Sequence, residues 1–173
     1  MYNSIANMKE KTNKVVAFFK KPGFAFFWPA FLMAIIFTLS ACPAEKSDQQ
    51  SGFLVNIVTS VFPSITDIDL TTTIIRKTAH FLEYALLGFL LARAYAKNVK
   101  FAKNSSKMTI LAVITSALYS TGDEIHQAFV PGRSCEFRDI CIDTIGALLG
   151  ASIYYLIYKK RANKVEKTQE ESL

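Results

Sequence analysis

The chain has 173 residues, a net charge of +6 and an apolar fraction of 51%. That length holds one ordinary domain, and that apolar content excludes a disordered or fibrous chain. Three cysteines, an odd number, exclude a disulfide scaffold.

Residues 1–21 form a basic segment containing Lys9, Lys11, Lys14, Lys20 and Lys21. From Pro22 to Ala44 no residue is charged, and Phe24 to Ala41 reads FAFFWPAFLMAIIFTLSA. At about 1.5 Å rise per residue this is one bilayer crossing. Pro29 lies near one end, and membrane helices accept proline. The run ends in Leu39-Ser40-Ala41-Cys42, which has the form of a lipoprotein cleavage box. A leader of 41 residues would exceed the roughly 15–30 residues of signal peptides. The run is therefore read as a retained helix, with lipidation of Cys42 as the rival reading.

Phe53, Leu54, Ile57, Val58, Val61 and Phe62 fall on one helical face, with Asn56, Thr59 and Ser60 opposite. The pattern predicts a short helix in the membrane interface, or else an ordinary packed helix, ended by Pro63. Three weaker apolar segments follow. Ala79 to Ala96 is interrupted by His80, Glu83 and Arg93. Met108 to Gly122 reaches crossing length only by continuing through Asp123, Glu124 and His126. Ile140 to Tyr158 is interrupted by Asp143 and ends in Tyr154, Tyr155 and Tyr158, an interfacial belt. The expected fold class is all-α: a polytopic membrane bundle of four transmembrane helices, plus a short interfacial helix between the first two. The membrane domain is expected over 22–160, with a charged tail over 161–173. The rival is a soluble bundle of buried helices.

Four crossings place three basic regions on one side: the N-terminal segment, the connection from Arg93 to Lys107, and the tail after Tyr158. Together they hold 15 basic and 4 acidic residues, a net of +11. The remaining segments hold 5 basic and 10 acidic residues, a net of −5. By the positive-inside rule both termini are cytoplasmic. The lysine clusters are then topology signals in contact with anionic lipid, and no nucleic-acid partner is needed.

Ionisable groups inside membrane helices cost roughly 2.5–3.5 kcal/mol each at the centre. Here they gather at the predicted outer end. The second helix opens with Arg76, Lys77, His80, Glu83 and Tyr84, and His80 can share a face with Glu83 and Tyr84. Cations at a helix N-terminus oppose the dipole, so Arg76 and Lys77 should have an acidic partner, an anionic ligand or lipid headgroups. The third helix ends in Asp123, Glu124, His126 and Gln127, and acids at a C-terminus oppose the dipole too. Adjacent acids point about 100° apart, so one should face the bundle and the other the loop. Pro131-Gly132 then turns Arg133 back toward the cluster. Asp139, Asp143, Gly146 and Gly150 share one face of the fourth helix. Asp139 suits an N-cap, Asp143 lies a turn deeper, and the two glycines permit close helix approach. One polar site is expected, with Glu83, Asp123, Asp143 and Arg133 in direct or water-bridged contact.

Anion or headgroup binding needs only the Arg, Lys and His donors, held by acids. Catalysis would use a base among His80, Glu83, Asp123, Glu124 and His126, but no nucleophile carries a signature. No tight metal-ligand spacing occurs, so neither a metal nor another cofactor is expected. The plainest alternative is a hydrogen-bonded network that only pins the helices together.

These residues carry a resemblance. Arg76-Lys77-Thr78-Ala79-His80-Phe81-Leu82-Glu83-Tyr84, Asp123-Glu124-Ile125-His126-Gln127 with Pro131-Gly132-Arg133, and Asp139 to Asp143 followed by Gly146 and Gly150 resemble the VanZ-like family of bacterial membrane proteins. Trp28-Pro29 and Leu39-Ser40 look like the family's first helix, and the likeness covers roughly residues 24 to 158. The resemblance implies a multi-pass protein of the bacterial inner membrane. The namesake confers low-level resistance to teicoplanin, a glycopeptide, by a route that is not established. The expected partners are membrane lipids and either a lipid-linked cell-wall precursor or a glycopeptide. The site would bind such an envelope amphiphile. An envelope-lipid enzyme and an accessory subunit are the alternatives.

Overall fold

The computed structural model describes residues 22–64, 67–98 and 105–170. The basic segment 1–21 and the lysines Lys100 and Lys103 lie outside the described residues. Five α-helices follow a short 3-10 turn at Pro22–Phe26: α1 Phe27–Ser40, α2 Ala44–Val61, α3 Ile68–Ala96, α4 Ser105–Gln127 and α5 Phe137–Glu170. There is no strand among the described residues. The all-α expectation holds.

Pro29 sits in the first turn of α1, where backbone N–H groups have no intrahelical acceptor, so its missing donor costs little. The second predicted helix begins well before Ala79. Asp67 caps α3, its carboxylate accepting the Leu70 N–H at 2.9 Å, and eight residues separate that cap from Arg76. Arg76 and Lys77 are therefore in the helix body and not in its first turn, so the N-terminal dipole does not act against them as expected. The missed signal was an ordinary N-cap in Asp67-Ile68-Asp69. α5 likewise continues to Glu170, through most of the expected tail.

α3, α4 and α5 pack together as the central layer, with α1 laid against α3 and α4, and α2 against α3. The core comprises Ile36, Tyr84, Leu87, Leu91, Ala92, Ala112 and Ala151. α3 and α5 approach through small residues. A Cβ at Gly146 would strike the Phe81 carbonyl, one at Gly150 the Ala85 carbonyl, and one at Gly88 the Ala147 carbonyl. The two-glycine spacing thus serves contact within the chain, as its small-residue logic requires.

Two segments are long and apolar enough to cross a membrane: Gly23–Ser40 and Phe137–Lys164. α3 and α4 fall short on composition, since they contain Arg76, Lys77, Glu83 and Arg93, and Lys107, Asp123 and Glu124. Their outward faces are nonetheless apolar. Leu82 and Leu86 on α3, and Ile110, Ile114, Leu118 and Ile125 on α4, are exposed. On α1 the exposed residues include Phe27, Trp28, Phe31 and Phe37. α2 starts nine residues before the predicted Phe53. Its Phe53, Leu54, Ile57 and Val61 are exposed, while Val55 is buried. That arrangement suits a helix in an interface better than one packed into a core.

Candidate functional site

The polar residues meet where α1 ends, α4 ends and α5 begins. Ser120, Asp123 and Gln127 line the inner face of α4, with Ser116 a turn before. All four are buried. Asp123 accepts from Ser40 Oγ of α1 at 2.7 Å and from Gln127 Nε2 at 3.1 Å. Glu124 faces the loop instead. It accepts the backbone N–H of Glu136 at 2.9 Å and Gln127 Nε2 at 3.2 Å. The adjacent acids therefore do divide between bundle and loop. Asp143 of α5 accepts from Ser120 Oγ at 2.7 Å.

Gly132, at φ +76°, supplies the left-handed turn that brings Arg133 back. Arg133 does not reach a carboxylate. Its Nε donates to the Cys42 carbonyl at 2.9 Å and its Nη1 to Gln127 Oε1 at 3.3 Å. Burial lowers the pKa of its guanidinium, foremost among several influences. No two of Glu83, Asp123, Asp143 and Arg133 share a direct hydrogen bond among the described residues. Asp123 and Arg133 are joined through Gln127.

Arg76 and Lys77 find the acidic partners expected of them. Arg76 Nη1 lies 3.5 Å from Asp48 of α2. Lys77 pairs with Asp139 and, at 3.3 Å, with Glu136. Asp139 stands in the first turn of α5 as a partner for Lys77, not at its cap. The Lys77 ammonium, through a hydrogen bond first and its charge second, holds the Glu136 carboxyl below the usual carboxylate range. A depressed folded value stabilises above the unfolded pKa of about 4.3 and is lost as pH falls through the folded value. Glu136→Gln should therefore destabilise the fold by under about 1 kcal/mol near neutral pH, because the pair is half-exposed, and so lower the melting temperature slightly. The two unfolding curves should merge in acid.

A cavity of about 200 Å³ opens between α1, α2, α3 and the α4–α5 loop. Arg76, Glu83 and Arg133 supply its charged lining, His80 an imidazole, Ser40, Ser47 and Ser51 its hydroxyls, and Leu39, Leu54 and Ile75 an apolar wall. A second cleft of about 140 Å³ adjoins it through Arg76 and His80, and reaches Lys77, Gln127, Glu136 and Asp139. Tyr84, Asp123 and Asp143 are buried behind these openings. His126 lies apart from them, stacked on Phe37 with ring centroids 4.3 Å apart. Among the described residues no group of three or more His, Cys, Asp or Glu is placed to hold a metal. Cys135 and Cys141 are both exposed free thiols.

A family model described as VanZ/LLP1 matches residues 14–158. The chain belongs to the VanZ-like family. The match spans all the segments that meet at this site, so the recognition made from Arg76–Tyr84, Asp123–Arg133 and Asp139–Gly150 stands. No curated protein and no solved structure gives a significant match to this VanZ-like chain.

Sequence reasoning missed Ser40, Asp48, Ser120 and Glu136 as participants. Ser120 was legible: Ser116, Ser120, Asp123 and Gln127 form a polar stripe at three- and four-residue spacing along an otherwise apolar helix. Ser40, Asp48 and Glu136 carry no such signal, since only the folded chain brings them to α4 and α3.

Proposed function

We propose that this VanZ-like protein binds the anionic headgroup of a cell-envelope amphiphile at the outer face of the bacterial inner membrane. In this reading α1, α3, α4 and α5 cross the bilayer, α2 lies in the interface, and both termini are cytoplasmic. The apolar outer stripes on α3 and α4 favour four crossings, because lipid is the solvent they fit. The charge asymmetry of +11 against −5 favours the orientation.

The observation that carries the binding role is the cavity lined by Arg76, His80 and Arg133 beside the apolar residues of α2. Cationic and hydrogen-bonding donors suit a phosphate or carboxylate, while Leu54 and Ile75 suit the first carbons of a lipid chain. Glu83 selects against a purely anionic occupant by requiring a donor on the ligand or a proton of its own. A lipid-linked cell-wall precursor meets these demands. Teicoplanin susceptibility would follow if that ligand is the drug's target or the drug itself.

The test is binding of a polyprenyl phosphate to the purified protein in nanodiscs, against phosphatidylcholine. Arg76→Gln removes a cation whose only side-chain partner among the described residues is the half-exposed Asp48, so the fold should survive. The variant should bind the polyprenyl phosphate about tenfold more weakly at unchanged melting temperature. Equal binding by both proteins would refute the proposal. A changed envelope-lipid profile in a strain lacking the gene would favour an enzyme instead. Teicoplanin susceptibility of His126→Gln and Glu124→Gln, read with protein level, separates a functional role from a structural one.

A further inference from the structure

Behind the headgroup cavity lies a set of oxygens that the cavity does not use. Asp123 and Asp143 are 3% and 1% exposed, and each spends only one carboxylate oxygen on the protein. Oδ1 of each has no hydrogen-bond partner. Tyr84 is fully buried, its hydroxyl makes no well-formed hydrogen bond though it lies beside Ser120, and Asp123 and Asp143 are within electrostatic reach of it. Three helices thus bury these oxygen-bearing side chains in the bundle interior: Tyr84 from α3, Ser120 and Asp123 from α4, Asp143 from α5, with Ser120 bonded to Asp143.

Among the described residues no cationic side chain forms an ion pair with Asp123 or Asp143. Arg133 ends on two neutral carbonyl oxygens, Lys77 on Asp139 and Glu136, and Arg76 on Asp48. His80 faces Asp123 electrostatically but makes no ion pair with it among the described residues. Two buried carboxylates left this way are strongly unfavourable unless something positive joins them. A proton would satisfy one oxygen. A cation satisfies all of them together, since what the orphaned atoms share is lone pairs.

We infer that Tyr84, Ser120, Asp123 and Asp143 form a binding site for a partly dehydrated monovalent cation, of which sodium is the one to test. The donors are all oxygen, which selects a hard ion over a transition metal. Magnesium sheds its water reluctantly, and calcium takes about 6–8 oxygens, more than these four side chains present in an interior that excludes solvent. The site is distinct from the headgroup cavity, and its test needs no headgroup ligand.

The experiment is equilibrium binding of radioactive sodium ion to the purified full chain in detergent, at neutral and mildly alkaline pH. Alongside it, melting temperature is measured in sodium, potassium, magnesium or choline chloride at equal ionic strength. Saturable binding at both pH values, with a melting temperature raised by sodium over choline, is the expected result. Tyr84→Phe keeps the buried ring and removes only the hydroxyl, so it should fold and bind sodium several-fold more weakly. Asp143→Asn should abolish saturable binding. Melting that is the same in sodium and choline at both pH values would overturn the inference. So would stabilisation that follows pH alone, which would make the missing charge a proton, or stabilisation by magnesium alone.

Discussion

Gly150→Leu should prevent the protein from accumulating as a folded species. A Cβ at position 150 would strike the Ala85 carbonyl, which is helix backbone and cannot rotate away. The remedy is to push α3 and α5 apart, and that opens the contact on which the bundle depends. Overpacking a tight core costs about 1–3 kcal/mol with side chains as neighbours, so the loss here should be at least about 3 kcal/mol. Gly146→Val and Gly88→Val should behave alike, against the Phe81 and Ala147 carbonyls. Gly122→Ala is the control, because nothing lies within 4 Å of its added Cβ. It should be neutral or stabilising by about 0.5–1 kcal/mol, the usual gain of Ala over Gly in a helix. Thermal unfolding of the purified proteins in detergent checks both.

Arg133→Ala is expected to affect binding and stability together, and Arg133→Lys to separate them. Alanine leaves Gln127 Oε1 and the Cys42 carbonyl without their donor, and Gln127 is 5% exposed. An orphaned buried acceptor costs about 1–3 kcal/mol, felt at the junction of α1, α4 and the loop. Lysine keeps the charge at the cavity but has one compact ammonium in place of a rigid fork. Its three N–H donors radiate from one point, so they cannot span Gln127, the Cys42 carbonyl and the headgroup as the guanidinium fork does. The lysine variant should therefore lose less stability than the alanine variant, while both bind a polyprenyl phosphate more weakly than the native protein. Equal binding by all three would remove Arg133 from the proposed headgroup site.

The fold was readable as helices because apolar runs and polar interruptions are local properties. α1 stood out by composition alone, and the membrane-length part of α5 was legible as a weaker apolar segment. The start of α3 did not, because its first turns are rich in threonine and their signal is one capping aspartate. The cluster of charged residues was readable as a cluster, since membrane helices rarely carry such groups without reason. Which charge meets which was not. Arg133 belongs to the polar cluster by its sequence position, but that its direct partners are Gln127 and a backbone carbonyl is visible only in the fold. His126 was grouped with His80 and lies against Phe37.

The family, the helical class, the uneven division of charge and the set of polar residues were determined by the sequence itself, through spacing and composition. The pairings were decided only in three dimensions. Whether Asp123 meets Ser40, whether Lys77 bridges Asp139 and Glu136, and whether Gly150 touches Ala85 depend on how whole helices pack. The physical reason is distance along the chain. Ser40 and Asp123 are 83 residues apart, and Cys42 and Arg133 are 91 apart. A local pattern sets which face of a helix is polar, but the partner of that face is chosen by the close approach of α3 and α5 and by the turn at Gly132.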